Sequence, residues 1–286
     1  MTESGFGPGD WFRHSDVHIF LVALGWILGS SALLGRTVAW PFLLLASLGA
    51  FLVYRVDRLL VYSPEDALNA YERVRFTARF RVGLVAIAVF MTIAAVWAAF
   101  HLELEWIEVC LVVGLMGLVY PLRIFPGGKR PKDVPWFKTL LIAGCWVGGG
   151  VLLPALMPGQ GKPVDWTLLV FIGIYRLLFV LPNLLVADWL DRVGDARASV
   201  TGLVKWIPGE YVDLCITVSS WLEIMLLLIM HSYGISGMLL ALEGALCLGI
   251  ANHAKAMRKK DRGDVTLLDL WVASPIMTWL LCIANT

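Results

Sequence analysis

Nine apolar runs dominate this sequence, at about residues 17–35, 38–54, 82–100, 106–120, 138–157, 166–187, 211–230, 234–252 and 265–283. Each is bounded by charges, Pro or Gly, and each is close to the ~20 residues that a helix needs to cross a bilayer. The nine together occupy about three-fifths of the 286 residues. Short loops remain, and there is no room for a second, water-soluble domain. With 59% hydrophobic and 16% charged residues, against about 45–50% and about 25% in an average soluble domain, the composition excludes a soluble, disordered or basic nucleic-acid-binding chain. The sequence predicts an all-α, multi-pass integral membrane protein, a single domain over 1–286, with no nucleic acid among its partners.

The charges orient it. The N-terminal segment 1–16 and the loops 55–81, 121–138, 188–210 and 253–264 hold twenty of the 23 Lys and Arg residues. Arg36 and Lys162 fall on the other side, and Arg176 lies within a span. This positive-inside bias places the N-terminus inside and the C-terminus outside a bacterial-type plasma membrane. The long loops, and with them the working face, are then cytoplasmic. The five cysteines all fall in apolar runs without metal or redox spacing, which reads as small buried hydrophobes.

Two acidic features lie on that face. Leaving the sixth run are Asp188, Asp191 and Asp195, spaced three and four apart, so that a continuing helix puts them on one side. Carboxylates gathered this way suit a hard divalent ion shared with phosphate oxygens, or a solvated helix end with Arg192 and Arg197 as partners. Leaving the second run is Tyr54-Arg55-Val56-Asp57-Arg58. The loop then reads Ser63-Pro64-Glu65-Asp66, which predicts a helix start running through Arg73, Arg75, Arg79 and Arg81 into the third span. That helix is either an interfacial one snorkelling its arginines or a cationic lid over a phosphate-bearing ligand.

At these residues the chain resembles the UbiA superfamily of intramembrane prenyltransferases. Asp188-x-x-Asp191-x-x-x-Asp195-Ala-Arg197 is similar to the family's second Asp-rich motif, and Tyr120-Pro-Leu-Arg123 with Lys132-Asp133 through Lys138 is similar to its segment between helices 4 and 5. The first motif, Asn-x-x-x-Asp-x-x-x-Asp, meets Val53, Asp57 and Val61 here, and the lysine of the family's Tyr-x-x-x-Lys meets Ile124. Glu65 and Asp66 are acids available to replace the missing ones, and Arg123 and Lys129 cations available for the lysine. The resemblance implies a bundle around a central cavity and a Mg2+ cofactor on Asp57, Asp188, Asp191 and Asp195, which are also the expected catalytic residues. It implies a polyprenyl diphosphate substrate bound by Arg58, Tyr120, Arg123, Lys132, Lys138, Asn183 and Arg197. The reaction it implies is prenyl transfer to an aromatic or other lipophilic acceptor. Cyclisation of the prenyl diphosphate to a terpene is the alternative that the eroded first motif keeps open, and a non-catalytic isoprenoid-lipid-binding protein is another.

Arg176, Glu223 and Glu243 sit deep in the sixth, seventh and eighth runs. Ions in such places pair with each other inside the bundle. Because sequential helices tend to neighbour, Glu223 is the expected partner of Arg176, with Glu243 the other choice.

Overall fold

The computed structural model describes residues 6–60, 64–128, 130–157, 163–197, 204, 207–260 and 265–284. They form helices at every one of the predicted runs: α2 (Val17–Leu33), α3 (Trp40–Leu60), α6 (Arg81–Ala99), α7 (Leu104–Val119), α8 (Pro135–Val147), α10 (Trp166–Arg197), α11 (Gly209–Ser232) and α12 (Gly237–Lys260), with the ninth run divided between α13 (Val265–Ala273) and α14 (Ile276–Ala284). Among the described residues six stretches are long and apolar enough to cross a membrane: Arg81–Ala99, Phe137–Leu156, Trp166–Arg197, Gly209–Ser232, Gly237–Lys260 and Val265–Ala284. The short α1 (Pro8–His14), bent 61° from α2, makes a seventh if the two are taken together. Large apolar side chains such as Phe90, Ile93, Trp221 and Leu228 face outward, which water would penalise and hydrocarbon does not. The chain is a multi-pass integral membrane protein.

α2 is packed against α3 on one side and α13 and α14 on another, while α10 runs alongside α8, α11 and α12. The close approach of α2 to the ninth run depends on Gly25 and Gly29, one turn apart. A Cβ at Gly25 would strike the Ala273 carbonyl, and one at Gly29 the Pro275 carbonyl. Small residues four apart let helices touch backbone to backbone in a membrane. Here they receive the break at Ser274-Pro275 between α13 and α14. Gly29→Val is expected to destabilise the fold by about 1–3 kcal/mol or more through overpacking. Gly83→Ala, with nothing within 4 Å of its Cβ, should leave the thermal midpoint in detergent unchanged or slightly raised, because Ala is the better helix former.

The eighth element also departs from a plain helix. α8 passes into a π-helical turn at Gly148–Leu152 and ends in α9 (Leu153–Leu156). Gly150 lies against the Trp26 ring, and the Trp26 Nε1–H donates to the Trp146 carbonyl at 2.9 Å. A π turn of this kind is often found at a functional site.

The helix expected from residue 63 through Arg81 is instead three pieces: α4 (Pro64–Asn69), α5 (Tyr71–Arg79) and α6. The proposed cap at Ser63 falls outside the described residues. Breaks at Ala70 (φ −136°, ψ 49°) and Phe80 (φ −107°, ψ 20°) have identifiable causes. α4 lies on the end of α10, where Asn69 and Leu68 crowd Gly194 so closely that a Cβ there would overlap them. α5 has to turn away to meet α1, where Trp11 packs on Phe76 and Phe80 with ring centroids 4.9 and 4.7 Å apart.

Deep in the bundle, Arg176 pairs with Glu243, not with the expected Glu223. Arg176 Nη2 and Nη1 donate to Glu243 Oε1 and Oε2 at 2.8 and 2.9 Å. The Tyr175 hydroxyl donates to Oε2 and the Thr278 hydroxyl to Oε1, each at 2.7 Å. α10 packs on α12 as well as on its sequence neighbour α11, so adjacency along the chain did not decide the pair. The Glu223 carboxylate is fully buried, faces the Cys247 thiol, and among the described residues meets no nitrogen or oxygen donor.

Candidate active site

A cavity of about 830 Å³ opens between α2, α3, α7, α8, α10 and α13. Its interior is walled by apolar side chains such as Ile19, Leu118, Leu141 and Val180, with the indoles of Trp26 and Trp146. At one end stand the charges: Asp57 and Arg58 on α3, Arg73 on α5, Lys138 on α8, and Asp188 and Asp191 on α10.

α10 places its acids because it does not stop at the apolar run. It continues without a break through Pro182 to Arg197, and the 3- and 4-residue spacing turns Asp188 and Asp191 toward the same space. Asp188 is buried and accepts a hydrogen bond from Lys138 Nζ at 2.5 Å. Asp191 feels the positive charges of Lys138 and Arg73 and the negative ones of Asp188 and Asp195. Asp195 lies outside the lining. Seven residues beyond Asp188 it is about 10 Å further along the axis, past the mouth, where it accepts from Asn69 Nδ2 at 2.7 Å.

Other predicted residues distribute as follows. Tyr120 lines the cavity beside Lys138, and Asn183 lines it one and a half turns inward from Asp188. Arg58 also lines it, but is engaged from the N-terminal segment: Asp16, fully buried and in the left-handed region at φ 62°, pairs with both Arg58 and the buried Arg55. Arg123 and Arg197 are exposed and outside the lining. The side chains of Lys132, Glu65 and Asp66 and the whole of Lys129 lie outside the described residues; the turn carrying Lys132 is closed by Arg130, whose Nη2 donates to Asp133 Oδ1 at 2.7 Å.

Two lining groups were missed by the sequence reading. Asp269, on α13, accepts from Asn183 Nδ2 at 3.0 Å and faces His18 Nε2 at 3.4 Å. A lone acid in the ninth apolar run is the same signal that marked Glu223 and Glu243, and it would have found this one. Tyr54, one turn inward from Asp57, lines the wall in the field of Asp269, Tyr120 and Asp57; among so many aromatics no spacing marks it.

With this arrangement in view, solved structures supply the comparison. A UbiA homolog from Archaeoglobus fulgidus bound to DMAPP and Mg2+ is similar over 96% of this chain and 99% of its own, with a TM-score of 0.62 at 14% identity. The fold is that of the UbiA homologs. The Archaeoglobus fulgidus protein bound to GPP and Mg2+ matches over 94% and 99% with a TM-score of 0.58 at 13% identity. A digeranylgeranylglyceryl phosphate synthase structure matches over 95% and 98% with a TM-score of 0.53 at 14% identity. No protein-family model and no curated protein sequence matches the chain. The UbiA-like bundle therefore persists here at a sequence identity too low to carry residue roles across.

Proposed function

We propose that this protein is a membrane-embedded, Mg2+-dependent enzyme that acts on a polyprenyl diphosphate and transfers the prenyl group to a lipophilic acceptor. The observation that carries the reading is the division of one cavity into a charged mouth and an apolar, aromatic interior. A prenyl diphosphate is divided in the same way. The ligands named for the neighbours of this fold, DMAPP and GPP with Mg2+, have that chemistry and support the reading.

Asp57, Asp188 and Asp191 offer carboxylate oxygens, the donors Mg2+ takes, commonly one or two beside substrate phosphates. Among the described residues no three acidic, His or Cys side chains converge on one point. The set therefore suits an ion held jointly with a diphosphate better than a protein-only cage. Bound there, Mg2+ would neutralise the diphosphate's charge and ease its departure. Arg58, Arg73 and Lys138 add fixed positive charge at the same mouth, where developing negative charge on the leaving group is stabilised. Lys138 and Asp188 hold each other in place, so the ammonium is positioned before substrate arrives. The apolar walls keep water from the allylic carbon, and the half-buried Trp146 ring offers a face to a developing cation.

Purified protein incubated with Mg2+ and a panel of prenyl diphosphates, with and without aromatic or hydroxylated acceptors, tests the reading. Diphosphate release that requires an acceptor is the expected result, and EDTA should reduce it to background. Release without acceptor, together with a cyclic hydrocarbon or alcohol, would turn the assignment to cyclisation. No release from any prenyl diphosphate would overturn it in favour of a binding protein.

A further inference from the structure

Three residues from three helices meet at the inner edge of the charged mouth, and the metal and diphosphate chemistry above uses none of them as a reacting group. Asp269 of α13 faces the cavity. Its Oδ1 accepts from Asn183 Nδ2 at 3.0 Å, and its Oδ2 stands 3.4 Å from His18 Nε2. His18, buried in the first turn of α2, has its other nitrogen 3.3 Å from the Phe12 carbonyl oxygen. Both nitrogens thus face acceptors. The ring thereby spans from the Phe12 carbonyl to the Asp269 carboxylate and ties the start of α2 to α13. Asn183 fixes one carboxylate oxygen and the His18 ring stands against the other, and lone pairs on both remain for a ligand in the cavity.

The position matters as much as the chemistry. Asn183 precedes Asp188 by five residues on one helix, about 7.5 Å deeper. Asp269 therefore lies just inward of the residues assigned to the diphosphate, within the electrostatic reach of Tyr54, at the level that the allylic end of a prenyl diphosphate would reach. The described cations of the lining are Arg58, Arg73 and Lys138, all at the mouth. Below them an anionic acceptor would meet the Asp269 carboxylate with no Lys or Arg of the described lining beside it, whereas a neutral hydroxyl would find an acceptor for its proton.

We propose that Asp269, positioned by His18 and Asn183, is the proton-accepting catalytic residue of this cavity, and that the acceptor it serves is a neutral, hydroxyl-bearing lipophilic molecule. The inference rests on the prenyl-diphosphate reading. In the step, the acceptor oxygen's electron pair forms the bond to the allylic carbon as the carbon–oxygen bond to diphosphate breaks. The diphosphate leaves with that electron pair, and the acceptor's O–H proton passes to the Asp269 carboxylate.

The test uses the full-length protein in detergent with Mg2+, geranyl diphosphate, and either 1-naphthol or its carboxylated counterpart 1-hydroxy-2-naphthoate. Wild-type protein should form ether with 1-naphthol and much less product with the carboxylate. Asp269→Asn should keep the Kd for geranyl diphosphate within about twofold while turnover falls ~100-fold or more, the scale of a lost general base. Asp269→Glu, which restores a carboxylate, should recover part of it. His18→Gln should lower kcat less and leave geranyl diphosphate binding intact. Turnover by Asp269→Asn within threefold of wild type would overturn the role of Asp269 and leave the prenyl-diphosphate reading standing. Loss of geranyl diphosphate binding and of thermal stability in both Asp269 variants would make the three residues a structural tie and overturn it as well. Preference for the carboxylated acceptor would overturn the acceptor class. A wild-type protein that neither binds nor cleaves any prenyl diphosphate would bring down the underlying reading, and this inference with it.

Discussion

An Asp191→Ala protein is expected to release diphosphate about 10³-fold more slowly than wild type, a loss of ~4 kcal/mol of transition-state stabilisation. Asp191 faces the cavity between the positive charges of Lys138 and Arg73 and the carboxylate of Asp188. Removing it takes away a metal ligand of the proposed site and leaves the fold's buried pairs intact. Its thermal midpoint should therefore stay close to wild type. Asp195→Ala gives the contrast. Its carboxylate serves Asn69 on α4 and lies outside the lining, so the expected change in kcat is below about threefold, with a lower midpoint from the lost hydrogen bond of ~1 kcal/mol. Diphosphate release at saturating Mg2+, measured beside thermal unfolding, separates the two. Equal losses of turnover would mean that all three acids of the α10 motif serve the metal.

The largest stability effect is expected at Glu243. Its carboxylate takes both nitrogens of the Arg176 fork and the hydroxyls of Tyr175 and Thr278, with both ionic partners fully buried. Glu243→Ala would leave the guanidinium without its counter-charge, a change that costs about 3–5 kcal/mol where one partner of a buried pair is removed. Arg176 would keep the Ser30 hydroxyl at 3.2 Å and the ring faces of Trp26, Tyr175 and Phe179, which are poor substitutes for a carboxylate. Glu223→Gln should be nearly neutral or stabilising, because that carboxylate is buried against no stronger donor than the Cys247 thiol among the described residues. A double-mutant cycle on unfolding in detergent should give a coupling of several kcal/mol for Arg176 with Glu243 and much less for Arg176 with Glu223. The reverse order would place the pair where sequence adjacency had put it.

Much of the frame was legible because apolar length is a local property. Each helix stands over its predicted run, and the Asp188–Asp191 spacing projected correctly onto a helix that extends past the membrane. What was not legible depended on which helices touch. Nothing local makes α12 rather than α11 supply the partner of Arg176. Nothing in the run Pro64–Arg81 shows that Asn69 is needed at Gly194 or that Phe80 joins Trp11, and those contacts are what break the helix there. Asp269 was readable as an intramembrane acid, but its partners, His18 on the second helix and Asn183 on the sixth segment of the chain, are 251 and 86 positions away.

The sequence by itself determined that this protein crosses a membrane repeatedly as helices and that its acids and cations gather toward one end of them. Hydrophobic length and charge placement act residue by residue against the bilayer, so they are written along the chain. The tertiary structure decided which of those charges share a cavity. It sent Asp195 to Asn69, tied Arg58 to Asp16, chose Glu243 over Glu223, and brought Asp269 to the wall. In a low-dielectric interior an ion is stable only beside a partner of fixed geometry, and that partner is set by helix packing rather than by order in the chain.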